Sequence, residues 1–175
     1  MNKPYEKCPV LETQNFTLRL VSEADAEDLL ACYSDPKAQA FFNTDNFPHT
    51  CNFYTVEEMA NCIRFWLMEY AQEAYVRFAI VDKALHKAIG TIEMFGPDRG
   101  VLRIDVAPVY ESKAHLKELL DACIAHFYDL FQVDTMASKA IPAAVGRIDV
   151  LHEAGFHAGD FNGREHYYLR AKRAL

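Results

Sequence analysis

Residues 101–116 read VLRIDVAPVYESKAHL and join the two most strongly patterned segments of the chain. In residues 101–107, Leu102, Ile104 and Val106 alternate with other side chains, which predicts a strand. From Ser112 onward apolar residues recur at the spacing of a helix, which predicts a long amphipathic helix. That stripe consists of Leu116, Leu119, Leu120, Cys123, Ile124, Phe127 and Phe131. The chain is therefore expected to pass from a strand almost directly into a helix.

The segments before this junction predict two further strands. Residues 75–81 and 88–95 are rich in β-formers, and residues 82–87 and 96–100 have the composition of turns. Strands joined by turns this short predict an antiparallel meander that ends with the strand at 101–107.

The N-terminal third predicts one more strand and two helices. Residues 16–21 alternate as a half-buried strand does, and Ser22 with Asp25 signals a helix start whose apolar pattern stops at Asp35-Pro36. An irregular aromatic loop spans residues 41–54 and is expected to cover a core or line a pocket. A capping box at Thr55 then opens a helix that should end near Gln72.

After the long helix the chain predicts a strand, a helix and a hairpin. A strand at 133–139 that follows a helix would lie parallel to the strand at 101–107. Pro142 suits the first turn of the next helix, which ends at Gly155-Phe156. The closing hairpin, with strands at 156–161 and 165–170, would turn at Asn162-Gly163.

Length and composition restrict the class of protein. The chain has 175 residues with 18 basic and 25 acidic side chains, a net charge of −7. This length predicts one domain over residues 1–175, with an N-terminal extension at 1–14 and a C-terminal tail at 171–175. The acidic balance argues against nucleic-acid binding, and no segment is apolar for long enough to cross a membrane. Five cysteines without a C-x-x-C pair indicate a reduced, cytoplasmic protein, and no residue set has the spacing of a metal site.

The order of these elements resembles the GNAT superfamily of acyl-CoA N-acyltransferases, and within it the ribosomal-protein alanine N-acetyltransferases. The residues that carry the resemblance are Leu18-Arg19-Leu20, Ser22 to Ala26, Ala88 to Glu93, Ile104 to Tyr110 and His152 to Phe156. The resemblance implies a single-domain α/β fold of the α+β type. It also implies a mixed, mostly antiparallel sheet of six to seven strands flanked by about four helices, with two central strands that splay apart.

The same resemblance implies a cofactor site for acetyl-CoA. In this family the pantetheine arm enters the gap between the splayed strands, and the following loop and helix N-terminus bind the pyrophosphate. Carried over to this chain, the cofactor-binding residues are Val106, Ala107, Ser112, Lys113, Ala114, His115, Leu116 and Arg147.

Several positions depart from the family pattern. The phosphate motif Q/R-x-x-G-x-G/A aligns with residues 111–116, where Glu111, Ala114 and Leu116 stand at the three marked positions. The family's Asn, Ser and Tyr positions before Gly155-Phe156 align with Ala144, Arg147 and Leu151. The common strand glutamate aligns with Val101.

Two carboxylates remain as candidate proton acceptors for an attacking amine. Glu93 and Asp105 lie on neighbouring strands close to the expected gap, and either could serve as the catalytic base. The alternative is that both are exposed on the surface of the sheet, which is the commoner position for a carboxylate.

The sequence therefore favours acetyl transfer from acetyl-CoA to a primary amine by direct attack. The acceptor would be a small-molecule or peptide amine, and the chain could form a homodimer. Two rivals remain: a GNAT-fold domain that binds a CoA-like ligand or a protein partner without turnover, and an interaction domain. A pocket lined by the aromatic loop would favour an enzyme or ligand-binding protein over a partner surface.

Overall fold

An open sheet of eight strands runs through the protein in this computed structural model, which describes residues 4–45, 52–95 and 100–172. The strands are β1 (Leu11–Glu12), β2 (Phe16–Leu20), β3 (Tyr75–Asp82), β4 (Lys87–Phe95), β5 (Gly100–Val106), β6 (Thr135–Lys139), β7 (His157–Ala158) and β8 (Tyr167–Ala171). Their order across the sheet is β1-β2-β3-β4-β5-β6-β8-β7, and only β5 and β6 pair in parallel.

Within the described ranges, five α-helices cover the two faces of this sheet. They are α1 (Ala26–Tyr33), α2 (Pro36–Gln39), α3 (Val56–Ala71), α4 (Lys113–Leu130) and α5 (Val145–Glu153). The apolar stripe of α4 packs with α5 against one face and forms the larger core, whereas α1 and α3 form a second core on the other. Among the described residues, no helix has both the length and the apolar character needed to span a bilayer.

Strands β5 and β6 pair over three residues and then diverge. The register joins Gly100 to Met136, Val101 to Ala137 and Leu102 to Ser138, after which β6 ends at Lys139 while β5 continues to Val106. One edge of residues 103–106 therefore has no strand beside it. This opening is the splay that the family resemblance implies, and the prediction is confirmed.

The mixed α/β architecture is confirmed, and the differences are local. The sheet has eight strands rather than six or seven, because the two-residue β1 is added at one edge, while the predicted strand at 156–161 is reduced to the two residues of β7. Asp35 does more than stop α1: its side chain caps α2 by accepting from the Lys37 N–H. Pro142 precedes α5 by three residues, so its assignment to the first turn of that helix was wrong.

The closing hairpin turns where the sequence predicts. Asn162 and Gly163 have φ values of 55° and 73°, as a type I′ turn requires, and Phe161 forms a bridge with Arg164 across it. The predicted turn at 96–99, part of the aromatic loop at 46–51 and the ends of both predicted tails lie outside the described residues.

Gly90 allows β4 and β5 to approach closely beside the splay. A Cβ atom at this position would lie 2.0 Å from the Asp105 carbonyl oxygen and 2.8 Å from the Val106 Cα. Both neighbours are backbone atoms, so a side chain could be accommodated only by moving β5. The position of β5 at the opening thus depends on a residue without a side chain.

We expect Gly90→Ala to lower the free energy of unfolding by about 1–3 kcal/mol, because the added methyl forces two paired backbones apart. Gly146→Ala is the matched control, since its Cβ would lie 4.0 Å from the nearest atom, in Lys113. Alanine in helix α5 should stabilise by about 0.5–1 kcal/mol. Urea denaturation of both variants measures the two changes, and equal effects would contradict the close-approach argument.

Candidate active site

The divergence of β5 and β6 forms a slot on the face covered by α4 and α5. It is lined by Ile104 of β5, Leu116 and Leu120 of α4, Ser138 and Lys139 of β6, and Arg147, Val150 and Leu151 of α5. The cavity between these side chains is about 30 Å³, which is room for one or two water molecules.

The backbone of β5 faces this slot at alternate residues. The N–H of Ala107 donates to the Ile89 carbonyl of β4 at 2.9 Å, so Ala107 is turned away from the slot. Because paired and unpaired residues alternate along an antiparallel strand, the polar groups of Ile104 and Val106 point to the opposite edge. Val106 therefore presents its backbone to the slot, whereas the N–H of Ala107, also predicted as a cofactor-binding residue, donates within the sheet.

The Ile104 carbonyl at this edge is bound by Arg147. The guanidinium donates from Nη1 to the Ile104 oxygen at 2.7 Å, and its other two nitrogens donate to the carboxylate of Glu111. The two departures from the family pattern at residues 111 and 147 thus contact each other.

The loop after β5 has most of its predicted phosphate partners engaged. The Ser112 hydroxyl accepts from the His115 N–H at 3.3 Å and caps α4, and Lys113 forms an ion pair with Asp149 of α5. The His115 ring packs against Phe16 and Tyr110, away from the loop surface. Ala114 is exposed at the first turn, and Leu116 is buried in the core below the slot.

A network of buried charges crosses three strands on the other face of the sheet. Arg77 of β3, Glu93 of β4 and Arg103 of β5 lie directly opposite one another. Glu93 forms ion pairs with both arginines, at 3.2 Å to Arg103 Nη1, and the Arg77 guanidinium stacks 4.1 Å from the centre of the Trp66 ring. Arg77 and Glu93 are each only 2% exposed. Both oxygens of Glu93 are thus occupied by arginine side chains, which leaves neither free to contact a substrate.

Asp105 stands at the end of this network nearest to the slot. It is 6% exposed, and its Oδ2 accepts from the Tyr33 hydroxyl at 3.1 Å and lies 3.8 Å from Arg77 Nη1. Burial raises the pKa of Asp105 above its usual range, although Arg77, Arg147 and Arg103 oppose the shift. A carboxylate with a raised pKa beside a gap in the sheet is a candidate base. Because Glu93 and Asp105 are both buried, the alternative that they are surface carboxylates is wrong.

Part of the aromatic loop closes the same face of the opening. Asp45 binds Lys139 Nζ at 2.6 Å and the Tyr167 hydroxyl at 2.9 Å, while its carbonyl accepts from Arg103 at 2.8 Å. The bonds from Lys139 and Tyr167 outweigh burial and lower the pKa of Asp45. These contacts fix the start of the loop across β5, β6 and β8.

The aromatic side chains of this loop contact the site from two directions. Phe42 and Phe53 pack on the Tyr33 ring, with centroids 5.1 and 6.2 Å away, and Phe41 lies 6.0 Å from the Arg147 guanidinium. Tyr54, by contrast, is exposed. The described part of the loop therefore mostly covers the site rather than forming a partner surface.

A family model for the acetyltransferase (GNAT) domain matches residues 15–157, which is most of the chain. The chain belongs to the GNAT family of acetyltransferases. The resemblance drawn from its sequence is confirmed, and membership of this family supports acyl-CoA-dependent N-acetyl transfer as the general activity.

Individual relatives agree with this assignment. The chain is 23% identical over 153 residues to a probable N-acetyltransferase of Bacillus subtilis strain 168, YjcK, with 85% of this chain and 83% of that protein covered. Its fold is similar to the ribosomal-protein-S5-alanine acetyltransferase from Vibrio fischeri, with a TM-score of 0.73, 16% identity, and 94% and 97% of the two chains covered. It is also similar to spermidine N-acetyltransferase from Vibrio cholerae in complex with CoA and spermine, with a TM-score of 0.70, 14% identity, and 90% and 96% covered.

Sequence reasoning missed Arg77, Tyr33 and Arg103 as neighbours of the site. A signal was present, because Arg77 interrupts the apolar run from Val76 to Ile80 in a strand with both faces covered. A charge in such a run indicates a buried ion pair. Two further charged residues, Glu93 and Arg103, occupy the matching positions of the next two predicted strands.

We expect Glu93→Gln to lower the free energy of unfolding by about 3–5 kcal/mol, because it removes the carboxylate that pairs with both buried arginines, Arg77 and Arg103. Glu57→Gln provides the control, since Glu57 pairs with Arg64 at the surface and is 75% exposed. That change should alter stability by no more than about 1 kcal/mol. Urea unfolding monitored by circular dichroism measures both, and a loss below about 1 kcal/mol for Glu93→Gln would show that the pair is not structural.

Proposed function

We propose that this protein transfers an acyl group, in the simplest case acetyl, from acyl-CoA to a primary amine by direct attack. The observation that carries the proposal is the divergence of β5 and β6 after Leu102 and Ser138. It leaves polar backbone groups of β5 facing a slot on the α4 side of the sheet, while the Asp105 side chain lies on the opposite face of the same strand.

Some groups at the slot are suited to bind an acyl-CoA, whereas Glu111 and Arg147 oppose its binding. The edge of β5 at Ile104 and Val106 offers backbone hydrogen-bonding groups to the amides of an extended arm, which would bind there as an added strand does. The N-terminus of α4 and Lys113 suit phosphate groups, although Glu111 places a negative charge nearby. The Ile104 carbonyl becomes available only when Arg147 leaves it.

Bound acyl-CoA would supply the acyl group as a thioester. Asp105 then accepts a proton from the amine, directly or through a water molecule, as the amine nitrogen bonds to the acyl carbon and the carbon–sulfur bond breaks. The sulfur leaves as a thiolate, which needs little assistance because a thiol pKa is about 8.5. The Tyr33 hydroxyl orients Asp105, and the Glu93 network fixes β5 beside it.

The acceptor is proposed to be a small-molecule or peptide amine that enters from the face of α1 and the aromatic loop. A net charge of −7 favours the approach of a cation through long-range attraction. The names of the similar proteins span a ribosomal-protein alanine acetyltransferase and a spermidine acetyltransferase, so the fold alone does not select the acceptor.

One observation favours a second function, binding of a CoA-like ligand without turnover. Arg147 occupies the edge of β5, and the family's Asn, Ser and Tyr positions hold Ala144, Arg147 and Leu151. A domain of this kind would bind CoA but release no thiol.

The first test is titration of acetyl-CoA into the protein by calorimetry, followed by a thiol-release assay with a panel of primary amines. We expect heat on binding and amine-dependent release of CoA thiol. Heat without thiol release from any amine would support the second function. Absence of both heat and a thermal shift would overturn both.

The second test concerns Asp105 as the base. The deprotonated carboxylate is the active form, and burial raises its pKa, so kcat/KM should fall as the pH drops through that raised value. Asp105→Asn should lower kcat by about a hundredfold or more and abolish this acidic limb. Its unfolding midpoint at neutral pH should not decrease, because the fold disfavours the charged form.

Asp121→Asn is the control for this measurement, since Asp121 pairs with Lys117 on the exposed side of α4. It should leave both the rate and the pH profile unchanged. An acidic limb that persists in Asp105→Asn would assign the proton acceptor to another group.

A further inference from the structure

The Arg147 guanidinium makes three hydrogen bonds at the edge of β5, two to Glu111 and one to Ile104. Arg147 Nε donates to Glu111 Oε2 at 2.9 Å, Nη2 donates to Oε1 at 2.5 Å, and Nη1 donates to the Ile104 carbonyl at 2.7 Å. The two side chains are only 11% and 16% exposed. A bidentate pair shielded to this degree holds the guanidinium in one place.

This guanidinium lies at the unpaired edge of β5, and Arg147 is one of the residues that line the slot. It contacts the part of β5 that has lost β6 as a neighbour, and the Phe41 ring of the opposite face lies 6.0 Å from it. Arg147 therefore takes the place that a strand-like ligand would need at Ile104.

We propose that Arg147, held by Glu111, is an internal occupant of the slot whose displacement sets the affinity for acyl-CoA. The inference rests on the proposed function, because it assigns these two residues an effect on the same site. An arriving arm must compete with Nη1 for the Ile104 oxygen, and the bonds to Glu111 oppose the departure of the side chain. Binding is weakened by the free energy needed to open the slot.

This arrangement predicts that removal of Arg147 changes the affinity for CoA in the direction opposite to that expected from charge attraction alone. CoA is a polyanion, so removal of a cation that binds its phosphates would weaken binding. Removal of a cation that blocks the arm would instead strengthen it. The sign of the change therefore separates an occupant from a phosphate ligand.

The experiment measures the Kd of CoA by calorimetry for wild type, Arg147→Ser, Glu111→Gln and the double variant. The double variant removes both charges, so neither is left unpaired. It should bind CoA at least about tenfold more tightly than wild type, a gain of about 1.4 kcal/mol in binding free energy. Glu111→Gln should tighten binding less, because Arg147 still contacts Ile104.

Two surface variants control for the change in charge. Arg64→Ser removes an arginine that also has two carboxylate partners, and Glu57→Gln removes one of those carboxylates. Both residues are exposed on α3, and neither variant should change the Kd by more than about twofold, since distant surface charges are screened. A double variant that binds CoA as weakly as wild type, or more weakly, would overturn the proposal.

A second measurement tests, in the absence of CoA, whether the Arg147 side chain fills the slot. Ser138, a half-buried slot residue, is replaced by cysteine in the wild-type and Arg147→Ser backgrounds, and its maleimide labelling rate is followed by peptide mass spectrometry. We expect labelling to be several-fold faster without Arg147. Equal rates would overturn the inference whatever the CoA result.

The two measurements separate this inference from the proposed function. If labelling accelerates but neither wild type nor any variant binds CoA, the proposed function is overturned and Arg147 is still the occupant of the slot. If CoA binds and thiol is released but the double variant gains no affinity, the proposed function stands and the inference is overturned.

Discussion

A strand edge that is left without a neighbour inside a protein must find other partners for its N–H and C=O groups. β5 meets this constraint on one edge through β4 and on the other only as far as Leu102. Beyond that point a side chain, Arg147, supplies the missing donor at Ile104. The slot and the contact between α5 and the loop after β5 both follow from this local shortage of backbone partners.

The opposite face of the same strands is held together by charge rather than by apolar packing alone. Glu93 between Arg77 and Arg103 links β3, β4 and β5 at one level of the sheet, beneath Trp66. Buried ions are tolerated because each has a partner of opposite sign, and removal of one partner leaves a charge that water cannot reach. The network therefore holds Asp105 at a defined position beside the opening.

The periodic parts of the molecule could be predicted from sequence. The stripe from Leu116 to Phe131 and the Asn162-Gly163 turn are specified locally, so α4 and the turn of the closing hairpin lie where expected, although the first hairpin strand has only two residues. The departures at Glu111 and Arg147 could also be recognised one at a time. Their contact could not, because they are 36 residues apart and meet only once α5 has packed on α4.

The burial of Asp105 was unpredictable for a similar reason. Alternation along β5 assigns a side chain to a face, but it does not say whether that face is covered. Tyr33 and the aromatic loop, which cover it, come from distant parts of the chain. Local patterns thus specify the sheet, whereas the environment of the site depends on long-range packing.

The two-residue strands at the margins of the sheet, β1 and β7, also affect how copies of this protein meet. A long exposed edge would offer a row of backbone donors and acceptors to another chain, and such edges promote aggregation. Here each margin offers only two residues, and both residues of β7 are exposed. Edge strands of this length offer little template for growth of the sheet from one molecule into the next.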